Sequence, residues 1–164
     1  MFDGTRVLKD DPRVDAYGEV DELNAWLGFV RSSLTDPELD TELARIQRDL
    51  FAIGAQLADP VHKIADRVTK AAISDADVDR LERLIDRLEE DLAPLRRFIL
   101  AGGAPPAAAL HLARAVCRRA ERRIVALQPP TDGPLLRYVN RLSDLLFVAA
   151  RSVNKRVGVP EVEW

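Results

Sequence analysis

Cysteine, histidine and aromatic residues are scarce in this 164-residue chain, which holds one cysteine, two histidines and 5% Phe, Trp and Tyr. A single thiol, Cys117, excludes an intramolecular disulfide. With only two histidines beside it, the ligand set for zinc is too small. A di-iron bundle needs Glu-x-x-His on paired helices, but His111 follows Ala108 at that spacing and His62 falls in a linker. No metal-ligating set is therefore expected. The chain has no Gly-x-Ser-x-Gly turn and no Cys/His pairing, which argues against a covalent hydrolase. It has no Gly-x-x-x-x-Gly-Lys loop either. No apolar run approaches membrane-spanning length, so no membrane partner is expected. Met1-Phe2-Asp3-Gly4 lacks the basic and then apolar character of a leader, and a reducing, cytoplasmic setting is expected.

Charge is plentiful. Hydrophobic residues make up 47% and charged residues 31%, the balance of an ordinary globular protein, and the length predicts one domain over 1–164. The net charge of −3 hides a division. Residues 1–93 carry 12 Lys+Arg against 22 Asp+Glu. Residues 94–158 carry 12 Lys+Arg against Glu121, Asp132 and Asp144 alone. The basic half is as apolar and periodic as the acidic half, so it is folded and is no solvated tail. Two uses remain for it: pairing the halves, within or between chains, and binding a compact anion. Nucleic acid is not expected, because no aromatics interleave with the arginines.

Apolar spacing predicts helices throughout and no convincing strand. The first is expected from about Val14 to Leu34, with Ala16, Val20, Leu23, Leu27, Val30 and Leu34 inward. The second starts at Asp36-Pro37, a cap residue followed by proline, and buries Leu39, Leu43, Ile46, Leu50, Ile53 and Leu57. After a linker, Ser74 caps a third helix with Val78, Leu81, Ile85, Leu88 and Leu92 inward. Phe98-Ile99-Leu100-Ala101-Gly102-Gly103 reads as a loop entering a fourth helix near Pro105-Pro106. That helix buries Leu110, Ala113, Cys117, Ala120, Ile124 and Leu127, which makes Cys117 an inert thiol. The fifth runs from about Leu135 to Val157, burying Val139, Leu142, Leu146, Ala149 and Val153, with Gly158 as its stop. Strides of three and four favour an all-α bundle of near-antiparallel neighbours.

Three polar segments stand out. Lys9-Asp10-Asp11-Pro12-Arg13-Val14 leads into Tyr17-Gly18-Glu19-Val20-Asp21-Glu22-Leu23-Asn24. The fourth helix carries Arg114, Arg118, Arg119, Glu121, Arg122 and Arg123. Arg114, Arg118 and either Glu121 or Arg122 share a face, a row of planar forks that suits phosphate oxygens. On the fifth helix Asn140, Asp144, Phe147 and Arg151 share a face. Each segment alone also reads as a solvated, salt-bridged face, and Gly102-Gly103 as an ordinary turn. Phe98 and Phe147 alone read as core aromatics. The residues by themselves reach a helical bundle with a candidate polyanion site.

Together the segments resemble the PduO-type ATP:cob(I)alamin adenosyltransferases. The matching text is K-D-D-P-R-V-x-A-Y-G-E-V-D-E-L-N, then F-I-L-x-G-G, then L-H-L-A-R-A-V-C-R-R-A-E-R-R, then Y-V-N-R-L-S-D-L-L-F-V-A-A-R. Ile46-Gln47-Arg48-Asp49-Leu50-Phe51 and Gly54-Ala55-Gln56-Leu57-Ala58 fit the family's second helix. The resemblance implies a five-helix bundle assembled as a homotrimer with sites at subunit interfaces. It implies transfer of the 5′-deoxyadenosyl group of ATP to cob(I)alamin, with triphosphate released and Mg²⁺ assisting. A cobalamin-dependent enzyme would receive the product. It further implies that Arg118, Arg119, Glu121 and Arg122 belong to the ATP site, that Asn140 holds the nucleoside and that Lys9 reaches the phosphates. Asp21 would pair across the interface with Arg114. Phe98 would occupy the lower axial side of cobalamin, and Phe147 would line the corrin pocket.

Two departures accompany the match. Family members usually begin with T-R-x-G-D-x-G-x-T, which wraps the ATP phosphates, whereas Phe2-Asp3-Gly4-Thr5-Arg6-Val7 aligns with text that normally follows it. That loop is therefore expected to be missing, which keeps a non-catalytic cobalamin- or nucleotide-binding carrier or sensor open as the alternative. Ala101 stands where proline is common, and with the sequence ending at Trp164 a longer cobalamin-covering tail is expected to be missing.

Overall fold

The computed structural model describes residues 8–58, 72–128 and 133–164. The segment around Phe2–Val7 and the linker with His62 lie outside the described residues. Five helices follow in order: α1 (Pro12–Arg31), α2 (Pro37–Ala58), α3 (Asp75–Glu89), α4 (Pro105–Val125) and α5 (Pro134–Arg156). Among the described residues the only pairing of extended backbone is a single antiparallel bridge between Ile99 and Glu163.

Local chemistry explains the helix ends. The Asp11 carboxylate accepts from Arg13 N–H at 2.8 Å, and Pro12 follows in the first turn of α1. Asp36 accepts from the backbone N–H groups of Glu38 and Leu39, both at 3.0 Å, as a cap residue should. At α3 the Asp77 carboxylate reaches back to Ser74 N–H at 2.9 Å, the reciprocal half of a capping box. Helix α1 stops three residues earlier than its apolar spacing predicts. Ser32 and Ser33 hydroxyls donate to the carbonyls of Phe29 and Val30, offering the backbone an alternative to another turn. Leu34 still packs on the core from the turn. Gly158 ends α5 with φ +71, a left-handed conformation that suits glycine.

Helix α1 packs on α2 and α4, α4 on α5, and α5 on α3. The expected stripes of α1, α2, α4 and α5 are buried, apart from Leu34 at the edge. Helix α3 is rotated slightly from expectation: Leu84 is buried while Ile85 is only partly covered. Both are apolar, and which one faces α5 depends on the packing angle. Helix α5 is buried nearly all round, including Tyr138, Leu145, Arg151 and Asn154. It is the centre of the bundle.

Helix α2 joins α3 and α5 through polar groups. Tyr138 Oη on α5 donates to Asp49 on α2 at 2.8 Å. Arg80 on α3 pairs with the same Asp49 and donates to Glu42 at 3.1 Å. Burial, and then Asp49, push the Tyr138 phenol well above its ordinary value, so it stays a neutral donor. Tyr138→Phe keeps the ring and removes the donor from a buried carboxylate. The variant should lose about 1–2 kcal/mol. For a chain of this size that lowers Tm by roughly 2–6 °C. A melting curve that overlays the parent would show that Asp49 does not depend on the Tyr138 donor.

Candidate functional site

Helices α1 and α4 run antiparallel, and the acidic and basic halves of the sequence meet there within one chain. Arg119 donates to Glu19 at 2.6 Å and also pairs with Glu22. Arg123 lies 3.9 Å from Asp15. Exposed pairs of this kind add little stability each, but together they set the register of α1 on α4. Arg119, expected among the ATP residues, is thus tied to α1 in this chain. Lys9 lies exposed in the turn before α1, toward the C-terminal end of α4.

The rest of the arginine row faces a different seam, between α4 and α5. Arg114 lies over the Phe147 ring, its guanidinium carbon 5.3 Å from the centroid, a cation–π distance. His111 meets the same ring edge-on at 5.9 Å. Farther along α4, Glu121 accepts from Asn140 Nδ2 at 2.8 Å. Arg118 lies between these contacts by helical spacing, is exposed, and makes no ion pair among the described residues. Helical rise fixes the scale: Arg114 and Glu121 are seven residues apart, roughly 10 Å along the axis. The sequence left open whether Glu121 or Arg122 completes the face; the Asn140 contact places Glu121 on the seam. Arg122 is exposed beside it, also without an ion pair among the described residues.

At the other end of the seam lies the loop that carries Phe98. Its side chain is 81% exposed, so the expectation of a core aromatic fails for it. Phe147 is half-buried. The seam therefore reads, from one end to the other, Phe98, Phe147 with His111 and Arg114, Arg118, then Glu121 with Asn140. Asp21 is on neither this seam nor the α1–α4 ladder. It lines a groove of about 480 Å³ between α1 and α2, with Tyr17, Asn24, Phe51 and Gly54. Asp21 has no ion pair among the described residues, and Arg114 Nε is buried without a hydrogen-bond partner. Cys117 is buried and donates to Val139 O at 3.3 Å; burial pushes its thiol far up, so it supplies no nucleophile. Among the described residues there is no cluster of three or more His, Cys, Asp or Glu able to hold a metal. None of the helices is long and apolar enough to cross a membrane.

The model of the cobalamin adenosyltransferase family matches residues 1–153. The chain belongs to that family. It is 41% identical over 167 residues to the corrinoid adenosyltransferase of Bacillus subtilis, covering 98% of this chain and 84% of the relative. It is 42% identical over 154 residues to the corrinoid adenosyltransferase PduO of Salmonella typhimurium, where it spans 93% of itself but 45% of the longer relative. A variant PduO-type ATP:corrinoid adenosyltransferase from Lactobacillus reuteri, solved in complex with cobalamin and ATP, superposes with a TM-score of 0.88 at 39% identity. That match covers 98% of this chain and 91% of the other.

In the sequence alone His111 stands out only as a candidate metal ligand. Its place opposite Phe147 could have been suspected from the antiparallel alignment of two stripes, but not from spacing along one helix. Burial, helped by the nearby Arg114 and opposed by Glu161, lowers its pKa below the ordinary value, so the ring is neutral at pH 7. With the folded pKa below the unfolded one near 6.5, the contribution of His111 to stability is full above about pH 6.5 and is lost as pH falls below it. His111→Phe should flatten stability against pH in that window. An NMR titration that gave His111 an ordinary midpoint would contradict the placement.

Proposed function

We propose that this chain transfers the 5′-deoxyadenosyl group of ATP to cob(I)alamin, releasing triphosphate. The observation that carries the reading is the order of groups along the α4–α5 seam. Aromatic residues stand at one end, Phe98 exposed and Phe147 beneath Arg114. Cationic and amide groups suited to a nucleotide stand at the other, Arg118 and the Glu121–Asn140 pair. A corrin and a triphosphate need those two surfaces side by side. The relatives' names, and the cobalamin and ATP bound in the Lactobacillus reuteri structure, support it.

The chemistry asks little proton transfer of the protein. The reduced cobalt of the substrate attacks the 5′ carbon, so no side chain has to act as nucleophile. Triphosphate leaves as an anion, and fixed positive charge near it lowers the barrier. Arg118 and Arg122, which make no ion pair among the described residues, are the forks for this role, with Lys9 reaching from the turn before α1. Glu121 orients Asn140 toward the nucleoside. Arg119 belongs to this site through α1, which it fixes against α4. Mg²⁺ would be held through the substrate phosphates. Phe98 would stand at the lower axial side of the corrin, where keeping a ligand off cobalt makes Co(II) easier to reduce.

The assembly belongs to the same reading. Asp21 and Arg114 do not pair within the chain, and each has unused hydrogen-bonding capacity. A homotrimer in which Asp21 of one copy meets Arg114 of the next would satisfy both. A reducing cytoplasm suits the generation of Co(I), and a cobalamin-dependent enzyme would take up the product.

Two substitutions separate these statements. Arg118→Ala should remove a charge-assisted phosphate contact of about 1.5–3 kcal/mol and weaken ATP binding roughly tenfold or more, with helicity intact. Wild-type ATP affinity in that variant would reduce the arginine face to a solvated surface. Asp21→Ala should break the trimer, since removing one partner of an interfacial pair costs roughly 3–5 kcal/mol when it is fully buried. Sedimentation of the parent as a monomer at micromolar concentration would refute the assembly. The activity itself is read from the spectral change of cob(I)alamin to adenosylcobalamin. Cobalamin binding without turnover, with ATP and Mg²⁺ present, would point to a carrier instead.

A further inference from the structure

An exposed aromatic has no core to hold it, so the placement of Phe98 rests on its backbone. That backbone is unusually well held. Phe98 O accepts from Trp164 N–H at 2.9 Å, and Leu100 N–H donates to Val162 O at 2.8 Å. Residues 159–164 thus form a strap that pairs with the loop, with Ile99 opposite Glu163. A pairing this short is marginal by itself in water and needs an anchor.

The anchor is α5. Arg151, with its side chain only 6% exposed, holds Glu161 of the strap through Nε at 2.6 Å and Nη2 at 3.3 Å. Its Nη2 also donates to Ala93 O at 2.8 Å, where the chain leaves α3 for the loop. One turn on, the buried Asn154 holds the other end. Its Nδ2 donates to Gly102 O at 3.0 Å, and its Oδ1 accepts from Ala104 N–H at 2.9 Å. Gly103 between them has φ +104, and a Cβ there would sit 2.1 Å from Asn154 Oδ1. The close approach exists because that residue is glycine. The Arg97–Glu163 pair, 3.6 Å and exposed, adds little.

We propose that Arg151 and Asn154 are positioning residues for Phe98: Arg151 through the Glu161 strap, and Asn154 through the Gly102–Ala104 backbone. The inference rests on the reading of Phe98 as the group at the lower axial side of the corrin. Phe147 lies one turn before Arg151 on the same helix. One rigid element therefore fixes the distance between the two aromatics. A loop aimed in this way can present a ring against an axial ligand without first being ordered by the substrate.

The test uses the full chain, with Glu161→Ala, Asn154→Ala and Phe98→Ala beside the parent. Each is loaded with cob(II)alamin and ATP. Absorption and electron paramagnetic resonance spectra report the fraction of bound Co(II) that has lost its lower axial ligand. Glu161→Ala and Asn154→Ala should lose most of that fraction, as Phe98→Ala does, while ATP affinity stays at the parent value. A parent-like spectrum in both, with the fraction lost in Phe98→Ala, would overturn the positioning role and leave the Phe98 reading standing. A parent-like spectrum in Phe98→Ala itself would overturn that reading, and the inference with it. Should Asn154→Ala lose helicity, Glu161→Ala decides alone, because Glu161 lies on the surface strap and outside the core.

Discussion

A polar group withdrawn from water costs stability unless it finds a partner, and the central helix α5 withdraws several. Most of its length is apolar and surrounded, yet it carries Tyr138, Arg151 and Asn154 inside. Each is satisfied by a different part of the chain. Tyr138 reaches Asp49 of α2 near the start of α5; Arg151 and Asn154 reach the loop and strap near its end. The hydrophobic stripes hold the helices together, but they are tolerant of small slides. The buried polar contacts are directional, and they decide where α2 and the Phe98 loop sit relative to the core. The seam that carries the candidate site inherits its geometry from these contacts.

Charge does a second, looser kind of positioning. The acidic half of the sequence supplies Asp15, Glu19 and Glu22, and the basic half answers with Arg119 and Arg123. These pairs are exposed and individually weak, so their value is register, not stability. They also use up part of the positive charge of α4. The subset facing α5 is left outside these pairs. A helix with five arginines thus presents them on two faces.

The stripes were readable because burial in a helical bundle imposes a period, and Leu110, Cys117 and Ile124 obey it. Helix starts were readable where a cap chemistry announces them, as at Asp36-Pro37. The division of labour between Arg118 and Arg119 was not readable, since adjacent residues on one helix meet different neighbours only once the bundle is assembled. Phe98 looked like core by its type, but its exposure depends on a loop that long-range contacts hold. Asn154 and Arg151 had little sequence trace: Asn154 sits beside Val153 of the apolar stripe, and Arg151 reads as part of the polar face with Asn140 and Asp144. Their partners around the Phe98 loop, some fifty residues away, left none. The family resemblance supplied roles that spacing could not, and it supplied them as a set of residues without saying which contacts hold that set in place.

The single thiol has a use unrelated to catalysis. Cys117 sits where α4 meets α5, covered and bonded to the Val139 carbonyl. A thiol-modifying reagent can reach it only when those two helices separate. The rate of modification in native conditions therefore counts openings of the α4–α5 seam, and a ligand that binds only the closed seam should slow the count by a factor of one plus the ratio of free ligand concentration to Kd. The molecule carries its own clock for the separation of these two helices.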